Sequence, residues 1–277
     1  MKDFLQGLRA FPTLLRIGFA EAMAYRAEMI VWMLTSTLPL VSMALWSAVA
    51  AGRRIGPEGF SSADFVAYFL LTLVVRLATG SWVLFSMNFE IRTGAMAPRL
   101  LRPVHPLLAY AAENMAAVPL RAALVTPLVV VLLFATSARG RLTDDPALLG
   151  AALLALPAAW ALTFLSMVII GALAFFIDNS LALFQLWMGS YMLLSGYLMP
   201  LSLLPRWAQR AASWLPFKYM LDAPVRLLLG LPGVPAAEAH QRALQGLGAA
   251  YLHVGILLLI AALAWRRGLR RFAAFGA

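Results

Sequence analysis

Cysteine is absent from the 277 residues, so a disulfide framework, a thiolate metal site and a cysteine nucleophile are all excluded. Charge is scarce: 12% of residues are Asp, Glu, Lys or Arg, where soluble domains carry about 25%. Lysine is nearly missing, with only Lys2 and Lys218. A phosphate-binding P-loop needs G-x-x-x-x-G-K-[ST], in which the lysine meets the phosphates and the hydroxyl meets magnesium. Lys218 sits in Pro216-Phe217-Lys218-Tyr219, without a preceding glycine or a following hydroxyl, so no Walker A site is present. The three histidines, His105, His240 and His253, are scattered and make no H-E-x-x-H or similar ligand cluster. No serine occupies a G-x-S-x-G elbow. These absences argue against a self-contained enzyme, and no cofactor or metal is expected on this chain.

What is abundant is apolar surface. Hydrophobic residues make up 62% of the sequence, more than one soluble core of this size can hide. A hydrocarbon core about 30 Å thick takes roughly 20 residues of helix. Six stretches meet that demand: Met29–Ala51, Phe65–Phe89, Leu107–Thr136, Ala147–Ile177, Leu181–Met199 and Leu247–Trp265. The fold class expected is therefore an all-α membrane protein with six transmembrane helices. The net charge of +10 lies mostly in segments between these runs, where arginine orients spans or grips anionic lipid. Nucleic acid is not an expected partner. The lipid bilayer is.

Residues 1–28 mix Lys2, Asp3, Arg9, Arg16, Glu21, Arg26 and Glu28 among apolar residues, unlike a cleavable signal peptide. Phe4, Leu5, Leu8, Phe11 and Leu15 recur at helical spacing, which suits a helix in the headgroup plane, broken near Pro12. An even number of spans puts both termini on one side of the membrane. Cations divide almost evenly between the two sides, so the sign comes from the flank Arg266-Arg267…Arg270-Arg271 against the last span. Both termini are expected in the cytoplasm, with residues 266–277 as a basic tail. Spans and connections together occupy 29–265.

Within 90–106 lies the loop RTGAMAPRLLRPVHP, residues 92–106, punctuated by Gly94, Pro98 and Pro103. It leaves a short turn of Arg99, Leu100, Leu101 and Arg102, close behind Arg92. Two leucines between guanidinium groups suit a groove on a soluble partner. They equally suit a positive-inside loop dipping into the interface. Residues 200–246 are too apolar for a solvated loop and are divided by six prolines. Trp207, Ala211, Trp214 and Leu215 share one helical face there, which points to short interfacial or re-entrant helices before the last span. Arg76, Glu113 and Arg121 fall inside or near the ends of spans, where charge is expensive and has a reason. Asp178, Asn179 and Ser180 read as a tight turn and helix cap between spans four and five.

Three stretches taken together carry a resemblance: AYRAEMIVW at 24–32, RLLRPVHP at 99–106, and MPLSLLPRW with WLPFKYMLDAPVRLLLG at 199–230. In this set the chain resembles permease subunits of type-2 ATP-binding cassette (ABC) exporters, in the bacterial branch that works with paired permeases. The resemblance implies an inner-membrane permease dimer, with a second permease that is a related chain or another copy of this one. It implies a cytosolic ABC ATPase dimer that carries the ATP and magnesium. It also implies that Arg92, Gly94, Arg99, Leu100, Leu101, Arg102 and Pro103 form the element that couples to the ATPases. Trp214, Pro216, Phe217, Tyr219 and Gly230 would belong to external re-entrant helices, and the cargo would be apolar or amphipathic. From the residues alone, an ion-coupled secondary transporter and a membrane scaffold without transport activity stay open beside it.

Overall fold

The computed structural model describes residues 2–24, 37–177 and 179–272. Apart from one isolated bridge between Ile55 and Phe60, the regular structure among these residues is helical. The first elements are α1 (Lys2–Ala24), α2 (Leu38–Val49), α3 (Ser62–Thr79), α4 (Val83–Thr93), α5 (Met96–Leu100), α6 (Pro106–Ala116) and α7 (Val118–Ala135). They are followed by α8 (Pro146–Ala172), α9 (Ser180–Leu194), α10 (Arg206–Trp214), α11 (Phe217–Met220), α12 (Asp222–Leu228) and α13 (Ala236–Phe272).

Four helical units are long and apolar enough to cross a membrane: Ser62–Thr93, Pro106–Ala135, Pro146–Phe175 and Ala236–Phe272. The first and third bury 67% and 61% of their most apolar stretch, while the second and fourth bury only 17% and 11%. Leu124, Val131 and Phe134 on α7, and Leu252 and Leu259 on α13, are exposed. Such faces need a solvent as apolar as themselves, which lipid provides. Two further apolar helices, α2 and α9, are shorter. The expected span Met29–Ala51 lies partly outside the described residues, and its described part is α2. The expected span Leu181–Met199 stops earlier, because the chain turns at Ser195 and Gly196 after α9.

Helix α8 is the central post. Asp145 caps it, accepting from the backbone N–H groups of Ala147 and Leu148, and Pro146 supplies the first turn. A hydrogen bond with His240, 2.6 Å away on α13, holds the Asp145 carboxyl below its ordinary pKa. Ala151, Ala152, Ala155, Ala158 and Ala159 are buried along α8 and let neighbouring backbones approach. Against them α13 sets its own small buried row, Ala239, Ala243 and Ala250 with Leu247. Helix α13 thus begins at Ala236, eleven residues before the expected last span, and residues 236–246 are its first three turns rather than loop. Helix α1 runs unbroken through Pro12 and lies along α6, where Gly18 meets Ala116 and Glu113.

At the far end of the bundle, the end bearing residues 50–61, 136–145 and 195–235, a buried knot ties span to cap. The Tyr68 hydroxyl lies 2.9 Å from Asp222 Oδ1 and 3.0 Å from the Gly196 carbonyl, both acceptors. Gly196 has φ +88°, and a Cβ there would collide with the Tyr68 hydroxyl and lie 3.0 Å from Asp222 Cβ. Gly52 shares the left-handed backbone, at φ +72°, but has open space around it. Gly52→Ala therefore carries backbone strain alone, about 1 kcal/mol. Gly196→Ala adds overpacking of about 1–3 kcal/mol. Thermal unfolding of the two variants side by side should show the larger loss at Gly196; equal losses would contradict the knot.

Candidate functional site

At the opposite, near end, α4 ends at Thr93 because Gly94 takes a left-handed backbone with φ +77°, the usual way to stop a helix and turn. One short helix later, α5 ends at Leu100, and the chain reaches α6 through Leu101, Arg102 and Pro103. The turn is fastened from inside. Arg99 spans two carboxylates, donating at 2.9 Å to Glu90 Oε1 and at 2.8 Å to Glu113 Oε1. Its guanidinium carbon stands 4.2 Å from the Tyr110 ring centroid, and the Tyr110 hydroxyl donates to Glu90 Oε2 at 2.6 Å. The side chains of Arg99 and Glu90 are only 16% and 15% exposed. This clamp joins α4, α5 and α6.

The two leucines expected on the outside have separate fates. Leu100 is half-buried and packs against the core cluster that includes Met96 and Tyr110. Leu101 is 87% exposed. Arg102 and Pro103 beside it are exposed, as are Arg92 and Gly94. Arg92 reaches back to the carbonyl of Ile177 at 3.1 Å. Arg99 accordingly works inward as a fastener, leaving Leu101 and Arg102 as the outward pair. A lone exposed leucine on a rigid turn, next to a cation, is suited to enter an apolar groove with an acidic rim.

Glu113 is one of the acids that Arg99 holds, one helical turn from the contact that Ala116 makes with α1. Arg76 and Arg121 come together elsewhere, halfway along their spans. Between α3 and α4 the helix breaks at Gly80–Trp82, and Asn114 on α6 repairs it. Its Oδ1 accepts from the Ser81 hydroxyl at 3.0 Å and the Trp82 N–H at 3.3 Å. Arg121 donates to the Gly80 carbonyl at 2.9 Å, and Arg76 lies among the rings of Trp82, Tyr191 and Tyr197, 5.2–6.0 Å from their centroids.

At the far end, α10 presents Trp207 and Trp214 outward, 72% and 84% exposed, while Ala208 and Ala212 face inward. Pro216 starts α11, and buried Phe217 and Tyr219 pack on Trp187 and His253. Gly230, with φ +70°, ends α12 against Thr143. Arg226 on α12 donates to Glu58 at 2.6 Å and to the Pro232 carbonyl at 2.9 Å. A cavity of about 470 Å³ opens beside this pair, lined by Lys218, Asp222 and Gln209 among others. Asn179 makes no side-chain cap on α9; Ser180 instead receives a 2.6 Å hydrogen bond from the Asn88 amide. Asp178 lies outside the described residues.

Glu90, Tyr110 and Asn114 were not singled out from the sequence, and neither was the pair Glu58–Arg226. Partners of Arg99 lie 9 and 14 residues away, and Glu58 lies 168 residues from Arg226, so no local spacing announces either contact. A comparison with curated proteins finds no match. A family model described as ABC-2 family transporter protein matches residues 27–276, nearly the whole chain. With its apolar, lipid-facing helices and that match, the chain belongs to the ABC-2 family of membrane transporters and is a multi-pass permease.

Proposed function

We propose that this chain is a membrane-spanning permease of an ATP-driven exporter in the bacterial inner membrane. It moves an apolar or amphipathic substrate out of the cytoplasm and takes its energy from a cytosolic ABC ATPase dimer. ATP and magnesium are held by those ATPases. Residues 29–265 form the transmembrane domain with six spans, counting the shorter α2 and α9. Residues 1–28 form an interfacial helix, residues 266–277 form a basic tail, and both termini are cytoplasmic. The path lies between this permease and a second one, either a related chain or another copy. Residues 200–246 form an external cap. There the exposed Trp207 and Trp214 support an interfacial placement, and the buried Phe217 and Tyr219 support a re-entrant one.

One observation carries the reading: Leu101 projects, 87% exposed, from a turn that Arg99 fastens to α4 and α6. A coupling element needs that combination, a tip that binds and a base that does not yield. Arg92, Gly94, Arg99, Leu100, Leu101, Arg102 and Pro103 then divide the work. Leu101, Arg102 and Pro103 meet the ATPase. Gly94 makes the turn, Leu100 and Arg99 root it, and Arg92 ties it to the start of α9. ATP binding drives the ATPases together, and the motion enters the bundle through α5. The permease changes state to the extent that ATP distinguishes the two states energetically. Purification of the native complex followed by subunit identification by mass spectrometry tests this. An ABC ATPase should co-purify in an amount equal to the permease subunits; a complex without any ATPase would refute the proposal.

A further inference from the structure

Two guanidinium groups meet near the middle of the bundle, with no acid between them among the described residues. Arg76 is 14 residues from the start of α3 and Arg121 is 14 from the end of α7, about 21 Å along each helix. Both border a single point: a Cβ placed on Gly80 would lie 3.2 Å from a terminal nitrogen of Arg76 and 3.8 Å from one of Arg121. Among the described residues neither arginine has a carboxylate partner, although Arg99 has two and Arg141, Arg226 and Arg242 have one each. Rings of Trp82, Tyr191 and Tyr197 face Arg76, and the Gly80 carbonyl accepts from Arg121. These contacts temper two charges but neutralise neither. A guanidinium has five N–H donors in a planar fork, and two such forks converging repel one another unless an anion lies between them.

The backbone at this level is also unusual. Residues 80–82 leave the helix in mid-span, and irregular backbone at that depth is tolerated where protein covers it or where it lines a site. Helix α3 ends here at Thr79 and α4 begins at Val83, so their opposite dipole ends largely offset and the two arginines remain the charges at this level. Two cationic side chains therefore share one level, with no acidic side chain paired to either among the described residues.

We infer that Arg76 and Arg121 form a binding site for the anionic head group, phosphate or carboxylate, of an amphiphile that the permease carries. The inference rests on the permease reading and narrows its cargo from apolar molecules in general to acidic amphiphiles. Two forks in different orientations favour a group with several acceptor oxygens over a halide. The acyl portion would lie among the apolar faces of the neighbouring spans.

Binding is measured without ATP, on the purified complex in nanodiscs of neutral phosphatidylcholine, so the result stands apart from the question of ATP coupling. The probes are a fluorescent phosphatidate, the diacylglycerol with the same chains, and inorganic phosphate. Wild type should bind phosphatidate at least about tenfold more tightly than diacylglycerol. Arg76→Gln and Arg121→Gln should each remove most of that preference, and Arg76→Lys should keep part of it. Similar affinities for phosphatidate and diacylglycerol in wild type overturn the site, and this comparison needs no variant to fold. Preference unchanged in both Gln variants overturns the assignment to these arginines. Phosphate competing as well as phosphatidate overturns the amphiphile. ATP added with the partner ATPase should lower phosphatidate occupancy; occupancy unmoved by ATP marks a resident lipid and overturns the assignment as cargo.

Discussion

Leu101→Asp should lower ATP-driven transport by at least about tenfold while leaving the thermal stability of the permease unchanged. The reason is the separation of the two leucines. Leu101 is 87% exposed in the isolated chain, so a carboxylate there meets water and disturbs no core. In a complex it would enter an apolar groove, and truncating or charging a central anchor of that kind costs about 2–4 kcal/mol. Each 1.4 kcal/mol is about tenfold in affinity. Leu100→Asp is the informative contrast. Its side chain packs against the core cluster that includes Met96 and Tyr110, so this variant should lose stability as well as transport. If Leu101→Asp transports normally, the turn does not couple to anything.

Arg99→Met should produce the largest structural effect of any single change at the near end. It removes one cation and strands two carboxylates, Glu90 at 15% exposure and Glu113 at 37%. Removing one member of a buried pair costs about 3–5 kcal/mol, because the remaining charge is left without compensation. Glu113 is open enough for water to screen it, so about 2–3 kcal/mol is the appropriate scale here. The Tyr110 hydroxyl still serves Glu90, which limits the loss further. The same clamp should be felt in function. ATPase activity of the complex should persist while transport falls, since the tip still docks but no longer moves α4 and α6 as one. A second substitution, Glu90→Gln, should restore part of the stability lost in Arg99→Met by removing one stranded charge. No recovery would mean that the clamp is ornamental.

Much of this molecule could be read from its residues. The scarcity of charge dictated lipid, and four of the expected spans match helices of 30 to 37 residues. The turn at Gly94 was legible because a left-handed residue after a helix has a strong preference for glycine. Three features were not legible, each for a physical reason. The break at Gly80–Trp82 sits inside a stretch long and apolar enough to read as one span, and the group that repairs it, Asn114, is more than thirty residues away. The first turns of α13 are polar and follow Pro235, which reads as loop. What makes them helix is the buried row of Ala239, Ala243 and Leu247 against α8, with Glu238 and Arg242 paired on the outer face. Arg99 looked like a surface cation because its neighbours are a leucine and a proline, and only folding brings Glu90 and Glu113 to it.

The same distance effect explains the two arginines in mid-span. Sequence position marks Arg76 and Arg121 as costly, and a search for compensating acids is the natural next step. Among the described residues the structure brings them to each other instead, at Gly80, where a Cβ would be crowded by Arg76. Partly satisfied polar clusters in low dielectric carry a penalty that folding alone does not justify. That is the physical basis for expecting a ligand there.

The central claim is that the permease has no energy source of its own. Transport of a labelled amphiphile should be measured in proteoliposomes holding the permease with and without its ATPase, all ion gradients collapsed by ionophores. Transport that appears only with both the ATPase and ATP is the predicted result; equal transport by the permease alone would contradict it.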